Sequence, residues 1–472
     1  MIGRDESCPY DGSMERPQSV RASFQILASS YSRDFFMLPP VSKQLIAHVD
    51  MNSYFASVEQ QANPFLRGKP LGVCAYLHDY GCVIAASIEA KRLGMKVGMT
   101  VKKARLAVPG AVFVQNDPAK YRAVTSRVFA LFHELTDRVE HYSIDEAFLH
   151  LTGWYRDPAE AAWALTKVRR RIRHEIGEWL RCSIGIAPTR FLAKTASDMK
   201  KPNGLTVIDY QNLDAMLARL DLEDVCGIGP RTRKRLERLG IRTLIDVKNY
   251  PIGNLMSAFG KSGLYLWCRL QGMEFERLTT PEEKLPQSVG HSYCVPIRVN
   301  QEHKIPSTLM KLTERAGRRM RRLGLQAGSM SVAVGFRGPG FAAPSGPFWQ
   351  PLEGQGGGAS LVFGERVDDS FALLRGSSEL LHQSWSGQSV NFLAVTLHDL
   401  ALPDGQSRLD GAQGAFFTAR DRRHRASLAV DAVRDKYGDT AIVFGDMVSL
   451  EDEAPDRIGF RKTEGVDITN IR

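Results

Sequence analysis

Short apolar runs and amphipathic stretches alternate in the first half of the chain, and their order predicts one unit of sheet and helix. Apolar residues recur at helical spacing in two stretches, and four runs have the length and composition of strands. The predicted elements are, in chain order, a strand at 44–50, a helix at 118–136, strands at 138–144 and 146–152, a helix at 158–179 and a strand at 181–187. This βαββαβ order is the split βαβ arrangement, a four-stranded sheet backed by two helices. Residues 54–117 are inserted after its first strand.

The second half predicts a helical segment followed by another unit of strands and helices. Residues 221–247 contain the turn CGIGP and a basic helix after it. Beyond a proline-bearing break, the predicted elements are a strand at 290–299, a basic helix at 306–323, a strand at 329–336, a glycine-rich insertion near 353–358, a helix near 370–383 and a strand at 391–397. The predicted fold class is therefore α+β, and a chain of this length suits about two to four domains.

Composition narrows the class of protein. The chain is 43% hydrophobic and 24% charged, which is ordinary for a folded protein. Because no apolar run approaches the roughly 20 residues of a membrane helix, we expect no membrane partner. The polar N-terminus is unlike a secretory signal and predicts a disordered leader at 1–43. Seven cysteines without a C-x-x-C pair favour a reducing, cytoplasmic location over a disulfide or zinc protein.

The chain carries a formal net charge of +10, which suits a polyanionic partner. Its cations are concentrated in KLTERAGRRMRR at 311–322 and RDRRHR at 420–425. A generic DNA-binding protein is the least specific interpretation of this charge.

Two adjacent carboxylates, Asp145 and Glu146, interrupt the β-like stretch HYSIDEAFLHL. Neighbours on a flat strand point to opposite faces, so the pair can serve one site only at a tight connection between strands. The split βαβ order places the pair there, beside the strand that ends at Asp50. Three gathered carboxylates repel one another unless cations neutralise them. Oxygen ligands select Mg²⁺ or Mn²⁺, and two such ions about 4 Å apart would support a phosphoryl displacement. Taken alone, an Asp-Glu pair is more often surface charge.

Two further patterns suit phosphates. Lys194 and Lys201 flank the segment TASDMK, and a lysine there is a compact cation for a triphosphate. In CGIGP, the glycines Gly227 and Gly229 let backbone N–H groups approach a DNA phosphate, and Arg231 belongs to the basic helix that follows. Each pattern alone is more often an ordinary surface feature or turn.

Four motifs in order resemble the Y-family of translesion DNA polymerases, of the bacterial DNA polymerase IV type. They are HVDMNSYFASVE at 48–59, SIDEAFL at 143–149, SIGIAPTRFLAKTASDMKKPNGL at 183–205 and VCGIGPRTRKRLERLGI at 225–241. The resemblance implies a right-hand polymerase with a palm at 44–53 and 118–208, fingers at 54–117, a thumb with a helix-hairpin-helix at 209–280 and an α+β little finger at 286–400. Residues 401–472 remain as a C-terminal tail.

The resemblance also implies low-fidelity, template-directed DNA synthesis past damaged bases. Asp50, Asp145 and Glu146 match the metal-binding carboxylates of the family, and Glu146 matches the residue usually called catalytic. Met51 matches a position that offers its backbone carbonyl to a metal. Phe55 matches the aromatic steric gate, whose ring occupies the space of a ribose 2′-OH.

The fingers depart from the family pattern at the incoming triphosphate. Positions that usually carry a hydroxyl, a Tyr and an Arg are here Ala85, Ile88 and Lys91. Lys91 keeps the charge but lacks the bidentate fork of arginine, whereas Lys201 matches the triphosphate lysine of the family. We therefore expect an active polymerase that binds nucleotides weakly.

The implied partners are primer–template DNA and deoxynucleoside triphosphates, and the protein is expected to be a monomer. Arg318 and Arg319, in the first cationic cluster, are predicted to contact DNA. In the tail, QGAFF resembles a peptide that docks on the sliding clamp, through Gln413, Phe416 and Phe417. An ordinary apolar linker is the alternative for that peptide.

Other functions stay open at this stage. A non-catalytic relative that binds DNA or partner proteins as a scaffold is favoured by the altered fingers and disfavoured by the intact carboxylates. A nucleotidyl cyclase on a similar sheet would share the two-metal carboxylates, but it would not need the CGIGP turn, the KKPNG turn or a basic little finger. A generic DNA-binding protein leaves the carboxylates unexplained.

Overall fold

A computed structural model provides the structure of the chain. It describes residues 42–79, 81–274, 285–296, 304–336, 356–403, 419–450 and 454. The predicted leader at 1–43 lies outside these residues except for its last two. Of these two, Ser42 is buried and donates a hydrogen bond of 2.7 Å to the carbonyl of Pro188.

Strands and helices are named here in chain order. The strands are β1 (Ile46–Met51), β2 (Leu71–Cys74), β3 (Val83–Ala86), β4 (Val112–Gln115), β5 (Val139–His141), β6 (Glu146–His150), β7 (Cys182–Ala187), β8 (Leu205–Val207), β9 (Ser288–Cys294), β10 (Gln326–Phe336), β11 (Gly356–Val367) and β12 (Val390–Ala401). The α-helices are α1 (Tyr54–Ala62), α2 (Ile88–Arg92), α3 (Val101–Ala107), α4 (Pro118–His133), α5 (Pro158–Arg171), α6 (Arg190–Met199), α7 (Leu213–Leu217), α8 (Pro230–Arg238), α9 (Leu244–Asn249), α10 (Ile252–Phe259), α11 (Lys261–Leu270), α12 (Lys304–Arg322), α13 (Ser370–Ser384) and α14 (Ala419–Tyr437).

The chain divides into two compact units, and each is described by itself. One comprises Met1–Asn52 and Thr125–Leu278, and the other comprises Ser53–Val124 and Thr279–Arg472. In the part of the chain that the structure describes, no helix is both long and apolar enough to cross a bilayer.

The first unit is built on a five-stranded sheet with the order β5-β6-β1-β7-β8. The predicted split βαβ order is confirmed, because β1 lies between β6 and β7 and is antiparallel to both. The four-stranded prediction missed β8, which adds a parallel strand at the edge beside β7. Every residue of β1 is buried, so this strand forms the centre of the sheet.

A glycine lets helix α6 pack directly on the central strands. At Gly185 on β7, a Cβ would lie 2.0 Å from the Ala193 carbonyl oxygen and 2.3 Å from the Ser197 nitrogen. These separations are too short for any side chain, so the close approach requires glycine. Gly185 is paired with His48 of β1, and the polar residues of α6 therefore come close to the central strand.

Several predicted elements of the first unit end earlier than expected, and two of them end at a change of backbone direction or conformation. The predicted strand at 138–144 ends at His141, where the chain turns towards β6. The predicted helix at 158–179 is α-helical to Arg171 and continues as a π-helical turn, and the backbone becomes extended at Gly177.

The helical segment predicted after the sheet is confirmed. Helices α7 to α11 pack around an apolar core that includes Leu236, Leu244, Leu255 and Trp267. Leu192 of α6 belongs to the same core, so these helices and the sheet form one unit.

The second unit contains a three-stranded sheet, β3-β2-β4, and a four-stranded sheet, β11-β10-β12-β9. The smaller sheet packs with α2 and α3 on a core that includes Cys74, Met95 and Val101. The larger sheet packs with α12 and α13 on a core that includes Leu312 and Leu373.

The predicted glycine-rich insertion is instead the beginning of a strand. Gly356, Gly357 and Gly358 pair with β10 as the first residues of β11. A Cβ at Gly357 would lie 2.2 Å from the Ser384 carbonyl oxygen at the end of α13. The glycine at this position therefore reflects close packing of backbone on backbone rather than a flexible loop.

The predicted tail contains a helix that packs on the larger sheet's helices. Strand β12 extends to Ala401, and α14 begins at Ala419. The buried residues of α14 are polar, namely Ser427, Asp431 and Arg434. Their partners are also buried, and the ion pairs are Arg321 with Asp431 at 2.7 Å and Arg434 with Glu314 at 2.6 Å. Helix α14 is therefore held by charge rather than by an apolar face.

Removing one partner of the buried ion pairs between α12 and α14 is expected to destabilise the second unit. In Asp431→Ala, the Arg321 guanidinium loses its carboxylate while it stays buried, and such a change costs about 3–5 kcal/mol. Chemical denaturation would measure the loss. Asp79→Ala, which breaks the exposed pair with Arg105, is the matched control and should change the stability little. Equal stability of the two variants would contradict a structural role for the Arg321–Asp431 pair.

Candidate active site

Three acidic residues meet at one end of the five-stranded sheet. Asp50 lies near the end of β1, opposite Glu146 in the antiparallel register with β6. Asp145 directly precedes Glu146, and its carbonyl oxygen accepts a hydrogen bond of 3.0 Å from the Met51 backbone N–H. The structure therefore brings together the four residues that the sequence predicts as metal ligands.

A tight turn explains how two adjacent carboxylates reach the same end of the sheet. The backbone N–H groups of Tyr142 and Ser143 both donate to the Glu146 carbonyl oxygen, each at 3.0 Å. The Ser143 hydroxyl donates to the Asp145 carboxylate at 2.5 Å, and Ile144 is buried between them. The expected tight connection is confirmed, with Asp145 in the turn and Glu146 in the strand.

Lysines neutralise two of the three acids. Lys194 on α6 forms an ion pair with Glu146, and Lys201, just after α6, forms one with Asp50. The third acid, Asp145, accepts its hydrogen bond from a serine. Of the lysines and arginines in the described residues, none forms an ion pair with Asp145.

Burial and neighbouring charges give the three carboxyl groups different pKa values. Burial raises the pKa of Asp50. Burial, together with the charge of Asp50, raises the pKa of Asp145 to about 7. Burial also acts to raise the pKa of Glu146, but the hydrogen bond from His48 and the charge of Lys194 outweigh it and hold that pKa at about 2. Glu146 is therefore firmly ionised, whereas the ionisation of Asp145 is costly.

His48 is a residue of this site that the sequence analysis missed. Its buried ring places Nε2 3.1 Å from a Glu146 carboxylate oxygen and Nδ1 2.8 Å from the Ser197 hydroxyl. Burial lowers the pKa of His48, and an ionised carboxylate can only accept hydrogen bonds. We therefore assign the proton to Nε2, so that His48 donates to Glu146. The strand period was the available signal, because His48 and Asp50 lie two residues apart on β1 and share a face.

The donor set suits a hard divalent cation. Asp50, Asp145 and Glu146 offer only oxygen, the ligand type of Mg²⁺ and Mn²⁺. Within the described ranges, no three His, Cys, Asp or Glu side chains already stand in the arrangement of a metal site, so the fit rests on the chemistry of the donors and not on their present positions. Asp145 is half-buried and has no cationic partner in the same ranges, so it is the acid that a bound cation would relieve most.

The predicted nucleotide-binding residues of the fingers lie in the second unit. Lys91 is exposed on α2, and Ile88 is the first residue of that helix. Ala85 is buried in β3. The nearby hydroxyl of Ser87 is buried and accepts a hydrogen bond from the Ala90 N–H as the helix cap. Ser87 therefore does not replace the hydroxyl that is missing at Ala85.

The turn CGIGP presents two glycines and an arginine to solvent. Gly227 has a φ of +100°, which favours glycine. A Cβ at Gly227 or Gly229 would meet no atom within 4 Å, so the backbone there is open to a bulky partner. Ile228 between them is buried, and Arg231 is exposed in the first turn of α8.

Arg318 was predicted to contact DNA, but its side chain is buried in ion pairs. It is 9% exposed, and its guanidinium forms ion pairs with Asp435 and Asp439 beside α14. Arg319, its neighbour in the prediction, is half-buried on the same helix. The predicted clamp peptide QGAFF lies outside the described residues.

Known proteins match the chain over both units. The impB/mucB/samB family matches residues 49–198, and the C-terminal domain of that family matches residues 286–411. A DNA polymerase IV of Moorella thermoacetica is 31% identical over 396 residues, which cover 83% of this chain and 93% of that relative. A DNA polymerase IV of Xanthomonas euvesicatoria is 40% identical over 245 residues, which cover 52% of this chain and 67% of that relative.

A solved structure shares the fold. A Y-family DNA polymerase chimera matches with a TM-score of 0.64 and 26% sequence identity, over 76% of this chain and 100% of its own. The expected α+β polymerase fold is thereby confirmed. From these matches together, the chain belongs to the impB/mucB/samB family, that is, to the Y-family DNA polymerases of the DNA polymerase IV type.

Proposed function

We propose that this DNA-directed DNA polymerase extends primers past damaged template bases, with low fidelity, by two-metal-ion nucleotidyl transfer. The observation that carries the proposal is the meeting of Asp50, Asp145 and Glu146 at one end of the sheet, with Asp50 opposite Glu146. Membership of the family supports dependence on a divalent metal, and the all-oxygen donor set supports Mg²⁺, with Mn²⁺ as a substitute.

We assign the acids to metal binding and the lysines to the nucleotide. The three carboxylates and the Met51 carbonyl would hold the ions, which when bound supply charge stabilisation for the attacking and leaving oxygens. His48 orients Glu146 by its hydrogen bond. Lys194 and Lys201 place two ammonium groups beside the acids, and we assign both to the triphosphate of the incoming nucleotide.

DNA contacts of the thumb follow from the open turn at Gly227 and Gly229. Its backbone N–H groups and the Arg231 side chain would bind a phosphate of the primer or the template. Such contacts position DNA without reading its sequence, which suits a polymerase that must act on any template.

A weakly active or non-catalytic polymerase relative that binds DNA or partner proteins as a scaffold in damage tolerance is the second candidate. It is supported only by the changes at Ala85, Ile88 and Lys91, which weaken the expected grip on a triphosphate. The intact acids speak against it. Docking on the sliding clamp through Gln413, Phe416 and Phe417 stays a prediction from the sequence.

Replacing a metal-binding acid should abolish primer extension. In Asp50→Ala and Glu146→Gln, the loss of a ligand removes several kcal/mol of charge stabilisation, so extension should slow by on the order of 10³-fold or more. Single-nucleotide extension on damaged and undamaged templates, with Mg²⁺ and with Mn²⁺, is the measurement. Glu160→Gln, at a half-buried acid of α5 that pairs with Arg156, is the control and should keep the wild-type rate. If wild type and Asp50→Ala are equally inert at millimolar nucleotide, the scaffold alternative gains.

Metal binding should be visible in stability as well as in activity. Without a divalent ion, Asp145→Asn should melt at or above the wild-type temperature, because it removes a half-buried carboxylate that has no cationic partner among the described residues. Mg²⁺ should raise the melting temperature of wild type but not that of the variant, since only wild type keeps all three acids. Calorimetry with EDTA or Mg²⁺ tests both points. A Mg²⁺ shift of equal size in the two proteins would exclude Asp145 as a ligand.

Restoring the missing triphosphate contacts should tighten nucleotide binding. A charge-assisted hydrogen bond is worth about 1.5–3 kcal/mol, so Lys91→Arg combined with Ile88→Tyr should lower the KM for deoxynucleotides about tenfold or more. Steady-state extension gives KM and kcat. Lys102→Arg, an equivalent exchange on the exposed face of α3, should leave KM as it is. A KM that does not fall in the double variant would refute the assignment of these positions to the triphosphate.

A further inference from the structure

An aromatic ring on α4 lies directly behind Phe55. The ring centroids of Phe55 and Tyr121 are 4.4 Å apart and the planes are inclined by 17°, so the two rings are stacked. Phe55 retains 8% of its exposure, whereas Tyr121 has none. Tyr121 therefore backs the gate ring on the side away from solvent.

Tyr121 is itself held by the helix that carries Phe55. Its hydroxyl donates to a Glu59 carboxylate oxygen at 2.8 Å, and Glu59 lies one turn after Phe55 on α1, on the same helix face. At the other end of the residue, the Tyr54 hydroxyl donates to the Tyr121 carbonyl oxygen at 2.8 Å. Three residues of α1 thus fix Tyr121 at its ring, its hydroxyl and its backbone.

The Glu59 carboxylate, which accepts the hydrogen bond from Tyr121, is itself held by Lys120. The ammonium group of Lys120 lies 3.1 Å and 2.9 Å from the two oxygens of Glu59. Burial, reinforced by the charge of Glu59, raises the pKa of the Tyr121 hydroxyl, so this group stays protonated and donates. Lys120 therefore holds Glu59, and Glu59 holds the Tyr121 hydroxyl. This series of contacts keeps the ring behind Phe55 rigid.

A steric gate excludes a 2′-hydroxyl only if its ring cannot retreat. Protein interiors are close-packed, so Phe55 could move back only by displacing Tyr121. That movement would give up the stacking and the Glu59 hydrogen bond together. A gate ring without this support could yield to a ribose.

We propose that Tyr121, positioned by Glu59, is a specificity-determining residue that supports Phe55 and so sets the discrimination against ribonucleotides. The inference rests on the role of Phe55 as the steric gate, which the family resemblance implies. Tyr121 acts through Phe55 and is a positioning residue, not a catalytic one.

Single-nucleotide incorporation with matched deoxy- and ribonucleotides tests the proposal, with the ratio of their kcat/KM values as the readout. Tyr121→Leu, which removes the stacked ring, should lower this ratio roughly three- to tenfold, the equivalent of an aromatic pair. Incorporation of the deoxynucleotide should stay near wild type. Tyr121→Phe keeps the ring and should lose less.

Further variants separate the possible outcomes. Phe55→Ala should relax the ratio more than Tyr121→Leu does. If Phe55→Ala leaves the ratio unchanged, the gate role itself is wrong. If Phe55→Ala relaxes it and a folded Tyr121→Leu does not, the gate stands and the present inference is overturned.

A control on the same helix distinguishes support of the gate from general loss of packing. Phe129→Leu removes another buried aromatic ring of α4 and should leave the ratio unchanged; an equal relaxation there would overturn the inference. If Tyr121→Leu does not fold, Glu59→Ala frees the ring instead and should relax the ratio, and Glu59→Gln, which keeps an acceptor, should restore it. A ratio unchanged in Glu59→Ala would remove Glu59 from the proposal.

Discussion

Neutralisation of the carboxylates of Asp50, Asp145 and Glu146 is the constraint on which the candidate site depends. Pairing of β1 with β6 puts Asp50 opposite Glu146, and the turn before β6 adds Asp145. Each ionised carboxyl group would cost several kcal/mol there without compensation. Lys194 and Lys201 compensate two of them, and the third is left without a cation in the described residues. Because the ionised acids of this site are costly, the site favours a cationic ligand. The ammonium groups of Lys194 and Lys201 close by favour an anionic ligand as well.

Compensation of charge also explains how the end of the chain is organised. The basic helix α12 has the composition of a DNA-binding surface, yet Arg318, Arg321 and Arg322 form ion pairs with acids of α14. Arg321 pairs with Asp431, and the pair of Arg434 with Glu314 has the opposite polarity. Since each of the two helices contributes both a cation and an anion, the ion pairs form in only one register of the helices. Each of these pairs takes up one cation and one anion, so the net charge of the chain is unchanged, but the arginines in the pairs are not available to DNA.

The contacts between α1 and Tyr121 make this part of the second unit rigid. The Phe55 ring, the Glu59 carboxylate one turn later and the Tyr54 hydroxyl of this helix all contact Tyr121. On the proposed roles of Phe55 and Tyr121, a loose active site for damaged templates and a strict test of the sugar would be compatible in one protein, because one supported ring would test the sugar. The surroundings of the base need not be rigid for that purpose.

The order of the sheet and the place of the acids could be predicted from the sequence, because both follow from local patterns. Apolar periodicity tells which residues of a segment are buried, and the βαββαβ order then makes Asp50 and Glu146 neighbours. The partners of charged residues could not be predicted. Arg318 finds Asp435 at a separation of 117 residues, and His48 finds Ser197 at a separation of 149. The chain offers 62 lysines and arginines and 52 acids, and composition does not say which of them meet. The glycines that open β11 had the same ambiguity, since a loop and a close backbone contact both require glycine. Only the tertiary structure decided these cases, because an ion pair or a close contact depends on where distant segments meet, and no local pattern records that.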